Sequence, residues 1–178
     1  MNLEIIYFIQ ALGNPVYDFF AIVFSFFFSF WFFFFTIAAI YLVKNLRALF
    51  MLITASAATG AVVELLKLLI ERVRPGLDIF PKYVSMSYSS SFPSGHTALA
   101  FLTAVILSKY YPKYAKTFYT VAFFVGYFRL YMGVHYLTDV IGGALVGCIM
   151  GLTFLLYEKD VMSFEAKILK RLKSKFKR

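Results

Sequence analysis

The chain has 178 residues, 61% apolar and only 15% charged, with a formal net charge of +9. That balance excludes an ordinary soluble domain, and a single cysteine, Cys148, excludes an internal disulfide or a thiolate metal cluster. Eight of the 18 basic residues fall in the last 20 positions, so the positive charge points to a membrane surface, with no nucleic-acid partner.

In chain order, residues 2–12 mix Leu3, Ile5, Ile6, Phe8, Ile9 and Leu12 with polar residues, the pattern of a short helix lying in the membrane interface. Gly13-Asn14-Pro15 ends it. The uncharged run of 25 residues from Phe19 to Val43 is about 37 Å long as a helix, enough to cross a bilayer with some tilt. Its length, and the lack of a basic residue before it or a small-residue cleavage site after it, argue against a cleaved signal peptide. A second span starts near Leu46 and runs to Val63, with small residues from Ala55 to Gly60 for close helix packing. Glu64, Lys67, Glu71 and Arg74 continue from it on one stripe. Residues 75–92 are polar, serine-rich and broken by Pro75, Gly76 and Pro81, as in an extramembrane loop. Spans follow over Ser94 to Tyr110, Thr117 to Tyr131 and Asp139 to Tyr157, the last with Gly143, Gly147 and Gly151 as a close-packing seam.

The expected architecture is an all-α integral membrane protein: a compact bundle of about five transmembrane helices plus a short N-terminal interfacial helix, with six spans as the alternative. Residues 1–160 form one transmembrane domain and 161–178 a polybasic cytoplasmic tail that binds anionic lipid. Lys44 and Arg47, then Lys109, Lys113 and Lys116, then the tail share one side, which the positive-inside rule makes cytoplasmic. The 75–92 loop, the stretch from Arg129 to Asp139 and the N-terminus share the other. Arg72, Arg74 and Lys82 lie on that outer side against the charge trend, which implies a purpose other than topology.

Three stretches carry chemistry. In Lys67-Leu-Leu-Ile-Glu-Arg-Val-Arg74-Pro75 the two outer cations are seven apart, two helical turns, and Pro75 leaves Arg74 at the helix mouth. An ammonium beside a guanidinium suits a doubly charged anion such as phosphate; the plainer alternative is an ion pair of Lys67 with Glu64 or Glu71. In Ser91-Phe-Pro-Ser-Gly-His96, Ser94 reads as an N-cap. The N–H groups of Ser94, Gly95 and His96 then make an anion site at the helix N-terminus, with His96 placed to protonate a leaving group. In Arg129-Leu-Tyr-Met-Gly-Val-His135-Tyr-Leu-Thr-Asp139, a helix from Val134 onward would stack His135 and Asp139 one turn apart, so the carboxylate fixes the imidazole tautomer. Arg129 converges on them only if the chain bends, and Gly133 is the expected bend. Both histidines of the chain fall in these stretches. Two imidazoles with three cations describe phosphoryl transfer through a phosphohistidine, and this chemistry requires no metal or other cofactor.

Lys67…Arg74-Pro75, Pro93-Ser94-Gly95-His96 and Arg129…His135…Asp139 resemble, in order and spacing, the signature of the phosphatidic acid phosphatase type 2 superfamily of lipid phosphatases. The resemblance implies that His135 is the nucleophile oriented by Asp139, that His96 is the general acid, and that Lys67, Arg74, Ser94, Gly95 and Arg129 bind phosphate. The chain departs at Phe128, where the family has serine, and in having five counted spans where the family usually has six. The implied protein is a multi-pass enzyme of the bacterial inner membrane, its site facing the periplasm or exterior, acting on a lipid phosphate of the outer leaflet. Compact bacterial members act on lipid A 1-phosphate, phosphatidylglycerophosphate or undecaprenyl diphosphate, and an outward site with minimal loops favours the first. A phosphotransferase on the same scaffold is the alternative, and a non-catalytic membrane carrier or scaffold the remote one.

Overall fold

The computed structural model describes residues 2–26, 45–75 and 90–175, and these are helical apart from short connections. Helix α1 (Asn2–Ala11) and helix α2 (Pro15–Phe26) meet at a sharp bend of 117°. The bend follows from Gly13-Asn14-Pro15. Asn14 Oδ1 accepts from the N–H groups of Val16 and Tyr17 at 3.0 and 3.1 Å, while Pro15 opens α2 where no donor is needed. Helix α3 (Leu46–Ile70) starts under an Asn45 cap. Helix α4 (Gly95–Tyr110) starts under the expected Ser94 cap, followed by a 3₁₀ turn over Pro112–Tyr114. Helices α5 (Ala115–Tyr131), α6 (Leu137–Leu156) and α7 (Glu158–Lys175) complete the chain.

Helix α4 lies at the centre, packed by α3, α5 and α6. Met51 and Ala55 of α3 and Leu102 and Ile106 of α4 are fully buried, with Met150 and Phe154 of α6 against them. The glycine seam is the reason α6 comes so close to α4. A Cβ at Gly143 would stand 2.4 Å from the Ser94 carbonyl oxygen, and one at Gly147 2.1 Å from that of Ala98. Backbone therefore rests on backbone, and the N-terminal turns of α4 and α6 are brought side by side.

Among the described residues, α3 and α6 are long and apolar enough to cross a bilayer, and α1 with α2 makes a third if the bent pair is one span. Helices α4 and α5, at the positions expected of the third and fourth spans, have 16 and 17 residues and rise about 24–26 Å at 1.5 Å per residue. The expected first span begins inside α2, but its residues 27–44 lie outside the described residues, as does most of the 75–92 loop. The segment read as a tail is helical as far as Lys175. Its first turns pack on the bundle, where Val161 and Met162 meet the core and Tyr110 donates to Glu158 at 2.7 Å.

Candidate active site

One end of the bundle gathers the end of α3, the starts of α4 and α6 and the end of α5. Helix α3 stops sooner than its charge stripe suggests: Glu71 adopts a left-handed conformation (φ 46°) and its N–H closes on the Lys67 carbonyl. Residues 71–75 are not helical, so Lys67 and Arg74 do not share a helix face. The stop is the left-handed Glu71 itself, and Pro75 separately keeps Arg74 out of helical geometry. Lys67 Nζ bonds Glu64 Oε1 at 2.7 Å.

The non-helical segment carries Arg74 across to the loop between α5 and α6. Its Nη1 donates to the Val134 carbonyl at 2.9 Å and lies 3.4 Å from His135 Nε2. That loop turns at Gly133, whose φ of +64° is open to glycine at little cost, as expected from the sequence. His135 lies in the loop and not on the helix, because α6 begins only at Leu137. His135 is 3% exposed, Asp139 fully buried and Arg129, in the last turn of α5, 7% exposed.

The partner of the His135 ring differs from the one anticipated. Nδ1 sits 2.8 Å from the main-chain carbonyl oxygen of Ser91 and 3.6 Å from Asp139 Oδ2. The first distance is a hydrogen bond and the second is not, so Asp139 acts on the ring through its charge. A carbonyl can only accept, so Nδ1 carries the proton and Nε2 keeps its lone pair facing the Arg74 guanidinium. Burial pulls the imidazole below its ordinary value of 6.5; the Asp139 charge opposes that, while Arg74 and Arg129 add to it.

Asp139 is itself fully engaged. Oδ1 accepts from Arg72 Nη1 at 2.7 Å; Oδ2 accepts from the Ser91 hydroxyl and from the Tyr136 N–H at 2.8 Å. Arg72 also donates to Thr138 Oγ1 at 2.6 Å and lies over the Tyr136 ring. Arg72 and Ser91 thus join the site beside the residues expected from the motifs. Arg72 had a signal, its positive charge on the side where topology disfavours one; the Ser91 carbonyl is main chain and has none.

The start of α4 completes the cluster. Ser94 is fully buried, its hydroxyl 2.9 Å from Thr97 Oγ1, and its N–H donates to the Asp139 carbonyl oxygen at 3.0 Å. That N–H is therefore committed, and an anion would be met by the first turn of α4 from Gly95 onward. His96 lies within electrostatic reach of Arg129, His135, Lys67 and Arg74, so the two imidazoles and three cations occupy one neighbourhood. Phe128 stands in the core with Ala21, Tyr131 and Met132, where it anchors α5 against α2.

The PAP2 superfamily profile matches residues 48–163. Phosphatidylglycerophosphatase B of Bacillus subtilis (strain 168) is 39% identical over 115 residues, 58% of this chain and 55% of that protein. Lipid A 1-phosphatase of Rhizobium etli is 34% identical over 123 residues, 64% of this chain and 52% of that protein. The chain thus spans about half the length of these curated relatives. The crystal structure of Aquifex aeolicus LpxE superposes with a TM-score of 0.76 at 31% identity, covering 88% of this chain and 95% of that one. A profile match that runs from α3 into α7 takes in all of the residues gathered at this end of the bundle, and the chain belongs to the PAP2 superfamily.

Proposed function

We propose that the chain is a membrane-embedded lipid phosphate phosphatase working through a phosphohistidine at His135. The observation that carries the reading is the pairing of His135 Nδ1 with the Ser91 carbonyl, which leaves Nε2 unprotonated beside the Arg74 guanidinium. A phosphate drawn to Arg74 and Arg129 meets that lone pair. Nε2 attacks phosphorus, the bond to the lipid oxygen breaks, and His96 delivers a proton to the departing oxygen. The imidazole, still protonated at Nδ1, becomes cationic, and the Asp139 charge at 3.6 Å stabilises it. Water then attacks phosphorus and gives a proton to His96 while the Nε2–phosphorus bond breaks, which releases inorganic phosphate and returns His135 to its neutral form. Gly95, through its N–H, and Lys67 hold the equatorial oxygens with the two arginines; Ser94 shapes the start of α4.

The relatives' names, a phosphatidylglycerophosphatase and a lipid A 1-phosphatase, support a phosphate on a lipid as substrate. We place the site on the outer side of the bacterial inner membrane, because Lys109, Lys113, Lys116 and Lys159 lie at the opposite end of the helices. On this reading five spans complete the domain and the basic C-terminal residues rest on anionic lipid of the inner leaflet. Lipid A 1-phosphate is the substrate we put first, ahead of phosphatidylglycerophosphate and undecaprenyl diphosphate.

Purified protein in detergent, offered the three lipids side by side, is expected to release inorganic phosphate fastest from lipid A 1-phosphate. His135→Ala should reduce release by at least about 10³-fold. Acid-labile label on the wild-type chain from a ³²P donor should be absent from that variant. An active His135→Ala protein sinks the reading, and label passing to a second lipid in place of inorganic phosphate would make the chain a phosphotransferase.

A further inference from the structure

Asp139 lies too far from the His135 ring to hydrogen-bond it, yet four donors and acceptors are arranged around the pair. Arg72 makes two connections to Ser91. Its carbonyl accepts from the Ser91 N–H at 2.7 Å, and its guanidinium binds Asp139, which in turn accepts from the Ser91 hydroxyl. Ser91 then presents its carbonyl to His135 Nδ1. The Phe92 ring, packed where a Cβ on Gly142 would collide with it, ties the same segment to α6. A fully buried carboxylate at 3.6 Å would otherwise compete with the Ser91 carbonyl for the Nδ1 proton.

We propose that Arg72 is a positioning residue: by neutralising Asp139 and fixing Ser91, it commits His135 Nδ1 to the Ser91 carbonyl and keeps Nε2 aimed at the phosphate. The proposal rests on the phosphohistidine reading above. Arg72 Nη1 is spent on Asp139 and Thr138, and its Cζ lies 4.1 Å from the centre of the Tyr136 ring. Charges reach His135 from each neighbouring element: Arg74 from the segment after α3, His96 from α4, Arg129 from α5 and Asp139 from α6. Only Asp139 is negative, so the compensation of that one carboxylate sets the balance.

The test uses the full chain in detergent and phosphate release from short-chain phosphatidic acid in mixed micelles. Arg72→Gln is expected to lower kcat about tenfold with KM within about twofold, the pattern of lost alignment without lost binding. Its acid limb should move up by about one pH unit, since the uncompensated carboxylate favours the imidazolium. Arg72→Lys keeps the charge but not the two-pronged geometry, and should hold the acid limb while losing about threefold in kcat. In an Asp139→Asn background, Arg72→Gln should add less than about twofold. Wild-type kcat and acid limb in Arg72→Gln, fully additive losses with Asp139→Asn, or a rise in KM alone would each overturn the proposal. If Arg72→Gln does not fold, Arg72→Lys decides: a kcat loss at constant KM supports the proposal and wild-type kcat overturns it. His135→Ala runs beside these, and activity in that variant counts against the phosphohistidine itself and not against Arg72.

Discussion

The ring of His135 and the main chain of Ser91 are held 2.8 Å apart, Nδ1 to carbonyl oxygen, across 44 positions of sequence. A neutral ring satisfies that bond and still offers Nε2 as a nucleophile; a doubly protonated ring satisfies it equally well but has nothing left to attack with. Activity on the acid side should therefore follow the loss of the neutral form.

The first prediction concerns that acid limb. Burial holds the His135 imidazole below 6.5, so the acid limb of kcat/KM, where the nucleophile is lost, should lie below pH 6.5, while loss of the His96 proton sets a separate alkaline limb. The sign for stability is the same. Between the lowered folded value and 6.5 the unfolded chain binds more protons than the folded one, so stability is full above 6.5 and declines as pH falls through that window. A pH series of phosphate release, paired with thermal unfolding in the same detergent, measures both. An acid-limb midpoint at or above 6.5 would contradict the burial of the ring.

What was legible in the sequence was what local rules govern. The Ser94 cap, the break at Gly13-Asn14-Pro15 and the Gly133 bend each depend on a few neighbouring residues, and all three are present. The glycine seam was legible because a spacing of four puts small residues on one face whatever lies opposite. The end of α3 was not, since charges at helical spacing continue through Arg74 while the helix stops at Glu71, in a left-handed conformation that a glutamate seldom adopts. Ser91 and Arg72 were harder still: they act across 44 to 67 positions, and one of them acts through a main-chain atom that every residue possesses. The ends of α4 and α5 at Tyr110 and Tyr131 were legible as well, since the apolar runs stop there.

A second prediction tests the α4 and α6 contact. Gly147→Ala puts a methyl group 2.1 Å from the Ala98 carbonyl oxygen and 2.9 Å from the Leu102 nitrogen, both backbone atoms that cannot swing aside. The helices must separate, at a cost of about 1–3 kcal/mol or more. Gly60 in α3 is the control, because a Cβ there meets nothing within 4 Å. Gly60→Ala should be neutral or stabilise by up to about 1 kcal/mol through helix propensity. Thermal unfolding in detergent separates the two, with an expected drop of several degrees for Gly147→Ala and none for Gly60→Ala. Equal midpoints would mean that the seam is not a close contact.

The last prediction concerns the N-terminal pair of helices, which reaches the site end through Tyr131. The Tyr131 hydroxyl donates to Asp18 Oδ1 at 2.5 Å, and Gln10 Nε2 donates to the Tyr131 carbonyl at 2.9 Å. The turn between α1 and α2 thus grips the last residue of α5, two positions before Gly133 and four before His135. Tyr131→Phe keeps the buried ring and its packing with Phe128 and Met132 but removes the donor to a carboxylate, a loss of about 1.5–3 kcal/mol. Because the Gln10 bond is to the main chain, it survives the substitution. The expected result is faster hydrogen exchange over residues 10–20 in Tyr131→Phe, with the amides of α4 and α6 unchanged. Phosphate release should fall by no more than about threefold, since the loop that carries His135 keeps its Gly133 turn and its bond to Arg74. Exchange at wild-type rates over residues 10–20 would show that packing alone holds α1 and α2 in place, and a loss of activity as deep as that of His135→Ala would put Tyr131 in the chemistry itself.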